Sequence, residues 1–306
     1  MNALVLGGNG FIGSHLVDCL LDGGNKVRVF DRLPERYSHA MANVDYHIGH
    51  FGDAFSMAEA LYGIDVVYHL VSTTVPSTSN LDPSADVRDN LLATIVLLEQ
   101  MVKAGVRRII YLSSGGTVYG NPIQLPITEG HPLNPICSYG IVKVAVENYL
   151  FMFRHLYGLS PVVFRPSNPF GPRQGHIGVQ GLIATFLHRI MKEEPLIVWG
   201  DGSVIRDYLY VTDLAHLIAL AGQSQITGIF NAGYGSGFSV NQIIQIISDV
   251  TGKSYRVHFE PARVFDVKEV ALDITKSKDI FSWVPEVSLR EGIKLHWEWI
   301  RETKSQ

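Results

Sequence analysis

The chain has 306 residues, of which 46% are hydrophobic and 18% charged, a globular balance that excludes a disordered or low-complexity polypeptide. At roughly 150 residues per domain this length predicts about two domains. The net charge of −4, with no block of basic residues, argues against a nucleic-acid partner.

In chain order, apolar runs suited to strands (Ala3–Leu6, Lys26–Phe30, Val66–Leu70, Arg108–Leu112, Pro161–Arg165) alternate with helical patterns (Ile12–Leu21, Ala54–Leu61, Asp89–Lys103, Tyr139–His155). That alternation predicts an α/β fold, a doubly wound parallel sheet covered by helices on both faces. After Arg165 the rhythm breaks at Pro166, Pro169, Gly171, Pro172 and Gly175, a density of proline and glycine that reads as irregular chain. A boundary near Pro169 separates residues 1–169 from a smaller mixed α/β domain, 170–306. Residues 210–235 are expected to return to the first domain, because Asp213–Ala221 reads as a surface helix and Ile229–Ala232 as a short strand.

Gly7-Gly8-Asn9-Gly10-Phe11-Ile12-Gly13 follows the first predicted strand and opens the first predicted helix. Glycines at Gly7, Gly10 and Gly13 permit a tight turn and close approach of the backbone to a pyrophosphate. The helix N-terminus then offers free N–H groups and the positive end of its dipole. Asp31 ends the second strand near the ~20-residue offset at which a carboxylate meets the adenosine ribose. A carboxylate there repels a 2′-phosphate, so NAD is favoured over NADP; the neighbouring Arg32 is the one residue that weighs the other way.

Tyr139 and Lys143 are four residues apart, so on a helix they lie on one face. A free tyrosine, with a pKa of ~10, is a poor base at neutral pH. A neighbouring ammonium and an oxidised nicotinamide both favour the phenolate. The pair lies downstream of Ser113-Ser114-Gly115-Gly116-Thr117-Val118-Tyr119-Gly120.

Other chemistries are not indicated. The histidines lack metal-ligand spacing, so no metal is expected, and no G-x-S-x-G elbow appears. The longest apolar stretch, Leu91 to Leu98, is far short of the ~20 residues that cross a bilayer. Two cysteines, Cys19 and Cys137, make no disulfide framework. Met1-Asn2-Ala3-Leu4-Val5-Leu6 lacks the n-region and long h-region of a signal peptide. A cytoplasmic chain without a membrane partner is expected.

Together, Gly7/Gly10/Gly13, Ser113–Gly120, Tyr139/Lys143, Arg165–Gly171, Gly200–Gly202 and Arg206-Asp207-Tyr208 resemble the extended short-chain dehydrogenases/reductases, and within them the nucleotide-sugar 4-epimerases. The resemblance covers essentially the whole chain. It implies a Rossmann domain holding NAD tightly and a smaller C-terminal domain gripping the diphosphate of a UDP-sugar. By position, Phe11 and Ile12 would face the pyrophosphate, and Leu70, Val71, Ser72, Asn90 and Pro166 would line the cofactor. Tyr139 would be the base and Lys143 would bond the nicotinamide ribose. Asn168, Arg206 and Arg263 would reach substrate phosphates, and Asp266 the substrate ribose. Gly181, Leu182, Ile197 and Trp199 would form the nucleobase slot.

Three positions depart from the family pattern. Gly115 stands where a Ser or Thr hydroxyl usually bonds the sugar O4, so either Thr117 or Ser114 supplies that group or Tyr139 works without it. His50, with Phe51 beside it, replaces the adenine-contacting carboxylate, and Asp53 lies three residues on. Val270 replaces a tyrosine found in members restricted to unsubstituted hexoses, which predicts room for an N-acetyl group. Gly116 and Thr117 replace the Asp-Glu pair of 4,6-dehydratases, so dehydration is not expected.

The helical patterns Asn90–Lys103 and Val142–His155 are apolar on nearly every face, as buried helices are. The resemblance points to a homodimer joined through a four-helix bundle; the alternative is burial within the monomer. The expected activity is 4-epimerisation of UDP-glucose/galactose, and of N-acetylhexosamine counterparts through Val270. A net 4-keto-sugar reductase and a non-catalytic NAD- or sugar-nucleotide-binding protein are the alternatives.

Overall fold

The computed structural model describes residues 1–35, 37, 41–175, 181–262 and 267–303. Its first unit comprises Met1–Tyr119, Leu133–Arg165 and Ala215–Phe230, and its second Gly120–Pro132, Pro166–Leu214 and Asn231–Gln306.

The first unit runs β1 (Asn2–Leu6), α1 (Phe11–Asp22), β2 (Lys26–Asp31), β3 (Val44–Ile48), α2 (Ala54–Ala60), β4 (Val66–His69), α3 (Pro83–Asp86), a π-helical turn (Val87–Leu92), α4 (Ala93–Ala104), β5 (Arg108–Leu112), α5 (Ser138–Tyr157) and β6 (Ser160–Pro166). The strands β3-β2-β1-β4-β5-β6 pair in parallel in that order. This is the Rossmann order, and its direction reverses between β1 and β4, where ligands bind at the carboxyl ends of the strands.

Strands buried on both faces read as continuous apolar runs, and Ala3-Leu4-Val5-Leu6 and Val66-Val67-Tyr68 are each at most 1% exposed. β3 is the strand the sequence pattern missed. Its Val44-Asp45-Tyr46-His47-Ile48 lies at the sheet edge, where only Val44 is buried. The expected helix Asp89–Lys103 starts instead as the π-helical turn. Leu97, Leu98, Met101, Val146, Leu150 and Phe153 of α4 and α5 belong to the core that also holds Leu4, Leu6 and Val67. Burying each such side chain contributes about 1.5–3 kcal/mol.

The chain continues through β7 (Asn168–Phe170), α6 (Leu182–Met191), β8 (Leu196–Trp199), β9 (Ile205–Tyr210), α7 (Val211–Gln223), β10 (Gly228–Ala232), β11 (Gly237–Ser239), α8 (Val240–Thr251), β12 (Val257–Glu260), β13 (Glu269–Val270), α9 (Thr275–Phe281) and α10 (Leu289–Thr303). β10 is the seventh strand of the large sheet, beside β6. In the second unit β9 is flanked by β7, β11 and β13, while β8 and β12 form a separate parallel pair. α8 starts at a capping box of Ser239 and Gln242. The apolar faces of α8, α10 and α6 close a second core around Phe170, Tyr210 and Trp297.

Candidate active site

Each large-sheet strand of the first unit except β10 delivers one sequence-predicted segment from its carboxyl end. β1 leads into the glycine loop, β2 into Asp31 and Arg32, and β3 into His50 and Phe51. β4 leads into Leu70, Val71 and Ser72, β5 into Ser113 and Ser114, and β6 into Pro166.

At the loop, Gly7 has φ +83° and its N–H donates to Phe30 at 2.9 Å. A Cβ on Gly13 would lie 2.1 Å from the Gly7 carbonyl oxygen, so α1 reaches β1 only without a side chain there. Gly10 N-caps α1 with no side chain bonded to the first turn, which leaves donors for a pyrophosphate. Phe11 and Ile12 begin that turn, half-buried. The Asp31 carboxylate accepts from the N–H groups of Asn9 (3.1 Å) and Leu33 (3.2 Å), which fixes it at the strand end beside the loop. These residues fit a dinucleotide.

The adenine-end candidates divide. His50 is exposed and its Nδ1 accepts from the Gly52 N–H. The Phe51 ring lies in the core against His69, centroids 4.9 Å apart. Asp53 caps α2 through the Ser56 N–H at 3.0 Å, so its carboxylate is committed there.

Tyr139 and Lys143 occupy the first two turns of α5, and Glu147 follows on the same face, one more interval of four along. Lys143 Nζ donates to the Leu112 carbonyl at 2.8 Å. It lies 5.4 Å from the Tyr139 ring centroid and 4.8 Å from that of Tyr111. Burial pulls Lys143 down to about 8, against the opposing pull of Asp86 and Glu147. Burial raises the Tyr139 phenol, and Cys137 and Asp86 raise it further; hydrogen bonds with Ser114 and Ser72 act the other way. Thr117 Oγ1 is buried without a hydrogen-bond partner. Of the two candidates for the hydroxyl absent at Gly115, Ser114 is the one that lowers the phenol's value.

A lysine whose folded value lies below its ordinary 10.5 binds its proton less well in the fold. It opposes folding below about pH 8, and that cost fades as pH rises from about 8 to 10.5. Lys143→Met removes a cost on the order of 3 kcal/mol at pH 7 and loses the bond to Leu112, about 1 kcal/mol. The cofactor-free variant should show an unchanged or higher Tm at pH 7, with turnover lost; scanning calorimetry beside an activity assay checks both.

Two buried carboxylates behind the pair were not singled out in the sequence. Asp86, fully buried, accepts from Thr74 Oγ1 (2.7 Å), Asn90 Nδ2 (2.8 Å) and Ser138 Oγ (2.7 Å), joining the loop after β4 to the start of α5. Asn90 itself takes the Thr73 N–H at 2.9 Å. It thus holds the segment that the resemblance assigns to the cofactor. Glu147 takes a bidentate grip from Arg165 (2.6 and 3.1 Å) and a bond from Ser113 Oγ at 2.5 Å.

In the second unit, Asp207 of β9 is wholly buried. Its carboxylate accepts from the N–H groups of Tyr234 (2.8 Å), Gly235 (3.2 Å) and Leu272 (3.4 Å), and burial pushes it up to about 6. Asn168 Nδ2 donates to the Asp207 carbonyl at 2.9 Å. Arg206, next along β9, is in register with Val270 of β13 and donates to the Ile205 carbonyl. Val270 is 2% exposed, so in this unit it packs as a strand residue. Gly181 caps α6 at φ +90° and Leu182 opens that helix. Ile197 and Trp199 lie on β8, with Trp199 exposed. Arg263 and Asp266 lie outside the described residues. No group of metal-ligating side chains occurs among the described residues, and none of their helices is long and apolar enough to cross a membrane.

The sequence pattern of the NAD dependent epimerase/dehydratase family matches residues 3–233. The UDP-glucose 4-epimerase of Mycolicibacterium smegmatis is 35% identical over the whole of both chains. The crystal structure of a Thermotoga maritima UDP-glucose 4-epimerase with UDP-glucose superposes with a TM-score of 0.95 at 37% identity, covering 99% of this chain and all of that one. A UDP-N-acetylglucosamine 4-epimerase from Methanobrevibacter ruminantium, in complex with UDP-N-acetylmuramic acid, gives 0.94 at 30% identity over 99% and 98% of the two chains. With the Rossmann strand order, the glycine loop and the paired Tyr139 and Lys143, these matches place the chain in the NAD-dependent epimerase/dehydratase family.

Proposed function

We propose that the protein inverts C4 of a UDP-linked hexose. The observation that carries this reading is Tyr139 with buried Lys143 one turn along the same helix face, its Nζ held by the Leu112 carbonyl and 5.4 Å from the Tyr139 ring centroid. NAD, when bound, supplies a hydride acceptor and returns the hydride. Tyr139 takes the O4 proton as C4 is oxidised and gives it back when the 4-keto sugar is reduced on its other face. Lys143, held by the Leu112 carbonyl, provides the positive charge that favours phenolate. Asn168, Arg206 and the nucleobase candidates Ile197 and Trp199 would hold the nucleotide while the sugar turns. A Cβ built on Gly116 meets nothing within 4 Å, which supports a roomy sugar site.

The same reading makes the protein a cytosolic homodimer. Leu92, Ile141 and Met152 remain exposed beside the half-buried Ile95, Val96 and Tyr149, an apolar surface suited to a four-helix contact through α4 and α5 of two copies. A monomeric mass at micromolar concentration would remove this part of the reading.

The test is NMR of UDP-glucose, and separately UDP-N-acetylglucosamine, with purified protein and no added cofactor. Appearance of the C4-inverted sugar is expected for the first, and absence of turnover with both overturns the proposal. Val270→Tyr is expected to depress turnover of the N-acetylated sugar while sparing the plain hexose. Equal effects on the two would show that Val270 acts only as a packed strand residue.

A further inference from the structure

The turn that opens the glycine loop is closed by the Gly10 N–H on the Gly7 carbonyl at 3.1 Å, and Asn9 is its third residue. Unlike the glycines around it, Asn9 carries a side chain, and the residue is 2% exposed. Its Nδ2 donates to the Leu33 carbonyl at 2.6 Å. Its backbone N–H donates to Asp31 Oδ2 at 3.1 Å, while Asp31 Oδ1 takes the Leu33 N–H at 3.2 Å. That last bond, from a carboxylate to the amide two residues on, makes Asp31-Arg32-Leu33 an Asx turn. Asn9 therefore grips the turn at both ends, at the carboxylate that starts it and at the carbonyl that finishes it.

Arg32, the middle residue of the turn, is exposed. A guanidinium is well shaped to take a phosphate in two parallel bonds, and Arg32 stands next to the carboxylate expected at the adenosine ribose. Each Asp31 oxygen spends one acceptor site on an amide and keeps another, which suits two ribose hydroxyls. A 2′-phosphate replaces one of those donors with negative charge. Selectivity then needs two things: a carboxylate that disfavours the phosphate, and an arginine that does not compensate for it.

We propose that Asn9 is a cofactor-specificity residue: by clasping the Asp31-Arg32-Leu33 turn it keeps Arg32 from engaging a 2′-phosphate and so keeps the site selective for NAD over NADP. The inference concerns the adenosine end of the dinucleotide and holds whichever sugar is turned over. Asn9 Oδ1 is buried without a hydrogen-bond partner among the described residues, so the side chain acts through its amide nitrogen. Alanine lacks that donor, and a serine side chain ends one bond earlier. The φ of Asn9 lies outside the left-handed region, so both substitutions fit the same turn.

The measurement is exchange of the purified holoprotein against an excess of NAD and NADP in equal amounts, followed by quantification of the nucleotides released on denaturation. Asn9→Ala and Asn9→Ser should each raise the ratio of NADP to NAD about three- to tenfold over the parent, the range set by one lost hydrogen bond. Arg32→Ala should lower that ratio several-fold more in the Asn9→Ala background than in the parent, since the guanidinium is released only there. An unchanged ratio in both Asn9 variants, or loss of the two nucleotides in proportion, would make Asn9 a purely structural residue and overturn the proposal. Equal effects of Arg32→Ala in the two backgrounds overturn it as well. The ratio is read without any sugar, so its outcome is separate from that of the epimerase reading.

Discussion

Tyr139→Phe is expected to lower C4 inversion by at least about 10²–10⁴-fold, the range carried by a positioned acid–base group, while the purified protein retains its NAD. The substitution removes one oxygen from a half-buried ring and leaves Lys143, its bond to Leu112 and the glycine loop intact. Quantifying the nucleotide released on denaturation, beside an NMR assay of the UDP-sugar, separates the two effects. A phenylalanine variant that still inverts C4 at the parent rate would take Tyr139 out of the base role. Loss of NAD together with activity would make the residue a cofactor anchor instead.

Glu147→Ala is expected to cost about 3–5 kcal/mol of stability, because removing one member of a buried ion pair strands the other. Arg165 is 2% exposed and also donates to the Tyr119 hydroxyl at 3.1 Å. Deprived of Glu147, its buried guanidinium loses the bidentate carboxylate grip. Replacing both residues by apolar ones of similar size, Glu147→Leu with Arg165→Met, should recover most of the loss. Urea denaturation of the two single variants and the double measures the coupling. Simple additivity of the singles would show that the pair does not act as a unit. Since Glu147 follows Tyr139 and Lys143 on one face of α5, the double variant also tests whether the ion pair sets their geometry. A stable double variant with depressed turnover is the outcome expected if it does.

The parts of the fold and site visible in the sequence share one property: their logic is local. The glycine loop needs only a strand, a turn and a helix start within a short segment, and Tyr139 and Lys143 need only helical spacing. Buried strands announce themselves as apolar runs, which is why Val66-Val67-Tyr68 was legible and the alternating edge strand Val44–Ile48 was not. What escaped is made by pairing across distance. Asp86 meets Ser138 from 52 positions away and Glu147 meets Arg165 from 18. A lone acidic residue in a helical pattern gives no sign of such a partner. The choice between Ser114 and Thr117 was likewise undecidable from order alone. It turns on which hydroxyl the path of the chain after β5 brings to the phenol. Asp207 was visible as the middle of Arg206-Asp207-Tyr208, but its hold on three backbone amides depends on where Tyr234, Gly235 and Leu272 return.

The large sheet is closed by a strand that the chain delivers late. β6 ends at Pro166, and its neighbour β10 begins only at Gly228, after the chain has built β7, α6, β8, β9 and α7. During synthesis on the ribosome, β6 is therefore an open edge while the whole intervening segment is added. Unpaired edges are templates for wrong partners, and sheets that await distant strands fold slowly. The nascent protein is most vulnerable in that interval, so a message that stalls translation between β6 and β10 should yield aggregate rather than a free-standing nucleotide-binding half.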